Sequence, residues 1–173
     1  MHPKITVLTC VYNGLPYLEE AIDSVLNQTY SNFEYLIIDD ASTDINVAKL
    51  IESYDDSRIR FIKNEKNLGV SNTFNRALEL IDTTYVVRLD QDDVNLPDRI
   101  EKQINFLENN EDIDIVCSFE YVIDFVRGAV NDTFEPKGNK IIGPLALTSI
   151  SWILLMKRSN ELLPPGQNLL HCL

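Results

Sequence analysis

The fold of this chain is decided at Tyr85-Val86-Val87-Arg88-Leu89-Asp90-Gln91-Asp92-Asp93. An apolar run typical of a strand ends there in three carboxylates, which repel one another unless a cation holds them. Mg²⁺ takes oxygen ligands, usually one or two carboxylates together with substrate phosphates. The stretch therefore predicts a metal–diphosphate site at the carboxyl end of a strand. Two plainer interpretations stay open: a solvated acidic loop, or Asp93 as the cap of a helix that follows Pro97.

Apolar runs and amphipathic segments alternate on both sides of this stretch. We predict five strands, at about 5–11, 33–38, 58–62, 85–89 and 113–117. Helices are predicted from Pro16 to about Asn27, after a cap at Ser42 or Thr43, from Val70 to Ile81, and from Pro97. This alternation predicts an α/β fold with a mostly parallel sheet flanked by helices.

Polar side chains follow three of the predicted strands. Tyr12 and Asn13 come after the first and Asp39-Asp40 after the second, in addition to the aspartates after the fourth. Parallel sheets bind ligands at the carboxyl ends of their strands, so these groups are expected at one edge. Tyr12 would either stack on a base or be an ordinary half-buried aromatic residue. One aspartate of the Asp39-Asp40 pair is expected to cap a turn while the other faces the ligand.

Two further groups extend this candidate site. Asn67 and Gly69 form either a loop beside the ligand or a plain turn before a helix. Arg88 stands alone in an apolar strand and needs an anionic partner, which is either the acidic cluster or a ligand phosphate.

The composition excludes some functions. The formal net charge of −12 argues against nucleic acid, whose phosphates need clustered Lys and Arg, and against electrostatic docking on anionic lipid. The length of 173 residues predicts one domain, or one domain and a fragment. The apolar stretch from Ile141 to Met156 is too short and mixed for a transmembrane helix, and no signal peptide is expected.

The motifs, taken in order, resemble the family 2 glycosyltransferases with the GT-A fold. Residues 5–14 are similar to the opening strand of that family, and Asp39-Asp40-Ala41-Ser42-Thr43-Asp44 is similar to its Asp-Asp-Gly-Ser-Thr-Asp segment, with Ala41 in place of the usual Gly. Asn67-Leu68-Gly69 and Asn75 resemble its middle loop and helix. Residues 88–93 and 96–103 resemble its metal motif and the helix that follows. The resemblance extends from about residue 4 to 118.

The resemblance implies a role for each of these groups. Tyr12 would stack on uracil or another base, Asp40 would bond the edge of the base, and Asp90 would lie near the ribose and phosphates. Asp92, with Asp90, would hold Mg²⁺ or Mn²⁺ on the diphosphate. The expected site for a nucleotide-diphosphate sugar comprises Thr9, Cys10, Tyr12, Asn13, Asp39, Asp40, Asn67, Gly69, Arg88, Asp90, Gln91 and Asp92.

The family also implies inverting transfer of the sugar to an acceptor hydroxyl, in polysaccharide or glycoconjugate synthesis. The three cysteines, which lack metal-like spacing, indicate a reducing compartment, so we expect a cytoplasmic protein. A place at the inner face of the membrane stays open. We expect a nucleotide-sugar-binding core at 1–127 and a poorly defined segment at 128–173 that is truncated on the acceptor side. No residue of the chain is identifiable as the general base.

The sequence raises two alternatives to a transferase. Without a general base, the chain would be a non-catalytic nucleotide-sugar-binding module or an inactive fragment. A phosphoacceptor signalling domain is disfavoured, because Thr9 and Cys10 stand where that fold needs acidic residues.

Overall fold

The computed structural model describes residues 3–117 and the backbone of three short strands beyond them. The strands are β1 (Ile5–Val11), β2 (Phe33–Asp39), β3 (Ile59–Lys63), β4 (Tyr85–Arg88), β5 (Ile115–Cys117), β6 (Val122–Asp124), β7 (Ala129–Asn131) and β8 (Leu154–Lys157). The helices are α1 (Leu15–Leu26), α2 (Ile45–Glu52), α3 (Val70–Leu80) and α4 (Arg99–Glu108). The five predicted strands and four predicted helices are all present, with ends shifted by a few residues.

Six of the strands form one mostly parallel sheet in the order β3-β2-β1-β4-β8-β5. The first four are parallel, and β8 lies antiparallel between β4 and β5. The sequence did not predict β8, which falls in the segment at 128–173. β6 and β7 pair in a separate two-stranded ribbon.

Both faces of the sheet are covered, which explains why its central strands are nearly continuous apolar runs. Alternate residues of β2 enter two different clusters. Tyr35 and Ile37 pack on the side of α1, α2 and α4, whereas Leu36 and Ile38 pack on the side of α3. All four side chains are completely buried. This double burial fixes the register of β2 against β1, and therefore the positions of the loops that follow them.

Ser42 and Thr43 do not cap α2, as the sequence had predicted. The cap is Asp44, whose carboxylate accepts a hydrogen bond from the backbone N–H of Asn46 at 2.9 Å. The two hydroxyl groups are used elsewhere: that of Ser42 accepts from the N–H of Asn13, and that of Thr43 donates to the Asn13 side chain. Among the helices of the described residues, none is long and apolar enough to cross a bilayer.

Candidate functional site

Three loops meet at the carboxyl edge of the sheet, after β1, β2 and β4. Val11 at the end of β1 stands beside Asp39 at the end of β2, and its carbonyl accepts from the N–H of Asp40 at 2.7 Å. On the other side of β1, the N–H of Leu89 donates to the carbonyl of Leu8 at 3.1 Å. The strand register therefore brings the three groups of polar residues together.

The aspartates after β4 lie in a tight turn. The N–H of Asp93 donates to the carbonyl of Asp90 at 3.2 Å, which closes the turn, and Asp93 is not the cap of α4. Arg88 clamps Asp90 with two hydrogen bonds of 2.9 Å, one to each carboxylate oxygen. The guanidinium also lies over the ring of Phe74, 5.5 Å from its centre. Of the two partners open for Arg88, the acidic cluster is the one observed.

Asp92 differs from its neighbour Asp90. Its side chain is exposed and makes no hydrogen bond or ion pair with any other described residue. Within the described part of the chain, no group of three or more His, Cys, Asp or Glu side chains is arranged to hold a metal ion. One free carboxylate fits a Mg²⁺ or Mn²⁺ ion held largely by substrate phosphates, whereas an all-protein cage would need more ligands.

Tyr12 is 44% exposed, and its backbone is fixed from the β4 loop. The Gln91 side chain accepts from the N–H of Tyr12 at 2.8 Å and donates to its carbonyl at 3.4 Å. The next residue, Asn13, has a left-handed backbone with φ 54°. Its side-chain oxygen accepts from the N–H groups of Thr43 and Asp44, at 2.9 and 3.2 Å. Asn13 therefore joins the β1 and β2 loops.

Both residues of the Asp39-Asp40 pair are buried, and each carboxylate has partners within the protein. Asp39 is completely buried, and one of its oxygens accepts from the N–H of Ser42 at 2.8 Å. Its other oxygen makes no hydrogen bond of good geometry but lies 3.1 Å from the ammonium of Lys63. Asp39 therefore caps the turn, as one of the pair was expected to do.

Asp40 holds the loop at residues 64–69, and only 3% of it is exposed. Its carboxylate accepts from the side chain of Asn64 at 2.7 Å and from the N–H groups of Leu68 and Gly69, both at 2.9 Å. The N–H of Gly69 also donates to the side chain of Asn67 at 3.0 Å. Burial by itself raises the pKa of Asp40, but the hydrogen bonds from Leu68, Asn64, Thr73 and Gly69 outweigh it and leave that pKa lowered.

Of the two residues that support this loop, the sequence singled out Gly69 but not Asn64. Asn64 is 2% exposed, donates to the Thr73 hydroxyl at 3.2 Å and accepts from Arg76. Gly69 has φ 80° and precedes the first turn of α3, so the loop shape depends on a residue that tolerates positive φ. The position of Asn64 directly after a strand was a usable signal.

Thr9 and Cys10 lie at the margin of this arrangement. The Thr9 side chain is completely buried, with its hydroxyl 3.1 Å from that of Tyr35. Cys10 is partly exposed, and burial raises the pKa of its thiol to about 12, although the nearby Arg88 guanidinium acts in the opposite direction. Cys10 is therefore a protonated thiol at neutral pH.

Ala41 has φ 60°, a conformation that favours glycine. The strain of a left-handed non-glycine residue is about 1–2 kcal/mol. We expect Ala41→Gly to increase the free energy of unfolding by up to about 1 kcal/mol, because the greater freedom of glycine in the unfolded chain offsets part of the relief. Urea denaturation at pH 7 measures this difference, with Ala48→Gly inside α2 as the control that should destabilise. A loss of stability in Ala41→Gly would contradict strain at this position.

The sequence matches the family Glycosyl transferase family 2 over residues 6–160. The chain belongs to this family. A glycosyltransferase of Methanocaldococcus jannaschii, itself uncharacterised, is 39% identical over 141 residues, which are 80% of this chain and 48% of that protein. The putative teichuronic acid biosynthesis glycosyltransferase TuaG of Bacillus subtilis is 35% identical over 69% of this chain and 46% of its own length. The chain thus spans about half the length of these curated family 2 relatives.

Solved structures agree on the fold. TarS from S. aureus (residues 1–349) aligns with a TM-score of 0.67 at 19% identity, over 89% of this chain and 47% of that one. The mannosyltransferase PcManGT from Pyrobaculum calidifontis, in complex with GDP-Man and Mn²⁺, aligns with a TM-score of 0.61 at 24% identity, over 69% of this chain and 36% of that one. The family 2 chain therefore has the GT-A architecture that its motifs predicted.

Proposed function

We propose that this chain binds a UDP-sugar through a divalent cation and contributes this donor site to a glycosyltransferase. The sugar would pass to an acceptor hydroxyl with inversion at the anomeric carbon, in the synthesis of a polysaccharide or glycoconjugate. Family membership supports sugar transfer. Solved complexes of structurally similar proteins contain UDP, UDP-GlcNAc, and GDP-Man with Mn²⁺.

One observation carries the proposal: an exposed aromatic face lies on a loop adjacent to that of a carboxylate that has no partner among the described residues. Tyr12 offers the face on which a base can stack, and Asp92 offers the oxygen ligand for a cation. These are the two groups that a nucleoside diphosphate with a divalent ion requires, one at each end of the ligand. Gln91, which contacts the backbone of Tyr12, is the neighbour of Asp92 in the chain.

The residues around Asp92 have defined tasks in this proposal. Asp92 would hold Mg²⁺ or Mn²⁺, which supplies charge neutralisation for the departing diphosphate when bound. Arg88 orients the Asp90 carboxylate through two hydrogen bonds, so that Asp90 would present its remaining lone pairs toward the ribose. Because both oxygens of Asp90 already accept from Arg88, Asp92 is the better metal ligand of the two. We assign the general base to no residue among those described.

Calorimetric titration tests the proposal with UDP and with GDP, each in Mn²⁺ and again in excess chelator. We expect UDP to bind in Mn²⁺, to bind at least about ten-fold more weakly in chelator, and to bind more tightly than GDP. Equal binding of UDP with and without metal would reject the metal site, and tighter binding of GDP would reject the assigned base. Metal-dependent binding without transfer to any acceptor would favour the non-catalytic module.

A further inference from the structure

We propose that Gln91 is a positioning residue that fixes the distance between the base-stacking face of Tyr12 and the metal-binding carboxylate of Asp92. This inference rests on the proposed function, because it assigns to Gln91 the task of matching the two half-sites to one nucleoside diphosphate. Gln91 itself need not touch the ligand.

The first support is the pair of hydrogen bonds between Gln91 and Tyr12. A side-chain amide that accepts from the N–H and donates to the carbonyl of the same residue holds that residue like a neighbouring strand. The distances are 2.8 Å and 3.4 Å, and the two residues are 79 positions apart in the sequence. Because the two residues lie on different loops, these bonds link the β1 loop directly to the acidic turn.

Gly14 provides the second, independent support. A Cβ atom built on Gly14 would lie 2.5 Å from the Gln91 side-chain oxygen and 2.7 Å from its amide carbon. Gly14 has φ −81°, which any residue can adopt, so backbone conformation does not require glycine here. A side chain at residue 14 would instead displace the Gln91 amide from the space that it occupies. The absence of a side chain at residue 14 is therefore a condition for the contact with Tyr12.

The rest of the β1 loop is held from the opposite side. The N–H of Asn13 donates to the Ser42 hydroxyl, and the Asn13 side chain accepts from the β2 loop. Removing the Gln91 amide should therefore free Tyr12 without releasing the whole loop. Each half-site would stay intact, but the two would no longer be held at one separation. Such a change reduces the affinity for the joined ligand more than the affinities for its parts.

The ligand-free test is hydrogen exchange of the Tyr12 amide, followed by NMR. We expect exchange to be at least about ten-fold faster in Gln91→Ala and in Gly14→Ala than in the wild type. Gln91→Glu keeps the acceptor oxygen and should restore protection. Equal exchange rates in wild type and Gln91→Ala would overturn the proposal, whatever the chain binds.

The ligand test compares three probes: UDP with Mn²⁺, uridine alone, and pyrophosphate with Mn²⁺. For Gln91→Ala we expect about a ten-fold loss for UDP and less than about a three-fold loss for either part. Gly14→Ala should reduce the affinity for UDP with Mn²⁺ by the same factor in the wild type and should have no further effect in the Gln91→Ala background. This double-mutant cycle separates the coupling between the two residues from any general effect on stability. Equal losses for all three probes, or additive losses in the double variant, would overturn the positioning role.

The failure of this inference is distinguishable from failure of the proposed function. If the wild type shows no metal-dependent binding of UDP, the proposed function fails, and the Tyr12 amide alone decides whether Gln91 holds that residue. If the wild type binds UDP and Gln91→Ala binds it equally well, the donor site stands and the role of Gln91 is rejected.

Discussion

Replacement of Asp92 by Asn should remove metal-dependent binding of UDP and leave the fold intact. Asp92 is the exposed carboxylate of the acidic turn and makes no hydrogen bond or ion pair with any other described residue, so its loss breaks no such interaction. Even residues that only support metal ligands cost 10–100-fold in affinity when they are changed, so loss of a ligand should cost at least about 100-fold. Titration of UDP in Mn²⁺ measures the effect.

Asp82→Asn is the matched control for Asp92→Asn. Asp82 is also exposed, but it precedes β4 and therefore lies at the opposite edge of the sheet. The Asp82→Asn substitution removes one negative charge, as Asp92→Asn does. Any general electrostatic effect on metal or nucleotide binding should therefore appear in both variants. Unchanged binding of UDP in Asp92→Asn, or an equal loss in Asp82→Asn, would contradict the assignment of the metal to Asp92.

The stability of the Asp92 variant gives a second comparison. Asp90, Asp92 and Asp93 stand within one turn, and like charges at that spacing repel. Removal of one charge should leave the free energy of unfolding unchanged or raise it by a few tenths of a kcal/mol. A site that combines loss of ligand affinity with no loss of stability is one that serves a ligand.

The order of the elements was predictable from the apolar pattern. A short continuous apolar run indicates a strand that is buried on both faces, and a periodic apolar pattern indicates a helix that is buried on one face. Residues 85–89 followed by aspartates could only be a strand ending at a polar edge, and that is where β4 lies. β8 was not predictable in this way. β8 comes from a distant part of the chain and pairs antiparallel with both β4 and β5. A local sequence pattern does not indicate between which strands a segment will insert.

The site was predictable to the level of which strand ends meet, but the state of each carboxylate was not. Arg88 and Asp90 are two residues apart, so their pairing was already one of the open alternatives. Asp39 pairs with Lys63, the last residue of β3, and Asp40 pairs with Asn64, which directly follows β3. The register of β2 with β3 brings these partners together. Such contacts depend on three-dimensional pairing, which the motif alone does not specify.

Asp40→Ala should be the most destabilising substitution at this edge of the sheet. The Asp40 carboxylate accepts from Asn64, Leu68 and Gly69, and buried donors without a partner cost about 1–3 kcal/mol each. Asn64 and Gly69 keep second partners in Thr73 and Asn67, so the principal loss falls on Leu68. We expect the free energy of unfolding to fall by about 1–3 kcal/mol in urea denaturation at pH 7.

Glu65→Ala is the control for Asp40→Ala, since Glu65 is an exposed carboxylate on the same loop. Its removal should change stability by less than about 0.5 kcal/mol. Amide exchange at Leu68 and Gly69 should accelerate in Asp40→Ala and stay unchanged in Glu65→Ala. Similar effects of the two substitutions would contradict the role of Asp40 as the anchor of residues 64–69.

The contribution of Asp40 to the free energy of unfolding should depend on pH in the direction expected of an ionised carboxylate. The pKa of Asp40 is lower in the folded protein than its ordinary value near 3.9, so its ionised form is the one that folding favours. This contribution is fully present above that value and is lost as pH falls through the lower, folded pKa. The difference in stability between wild type and Asp40→Ala should therefore be largest at neutral pH and shrink below about pH 4. A difference that stays constant from pH 7 to pH 3 would show that packing, and not the charge, accounts for the loss. A base that hydrogen-bonds to Asp40, as proposed, would have to use the carboxylate's remaining acceptor capacity or replace one of these loop donors.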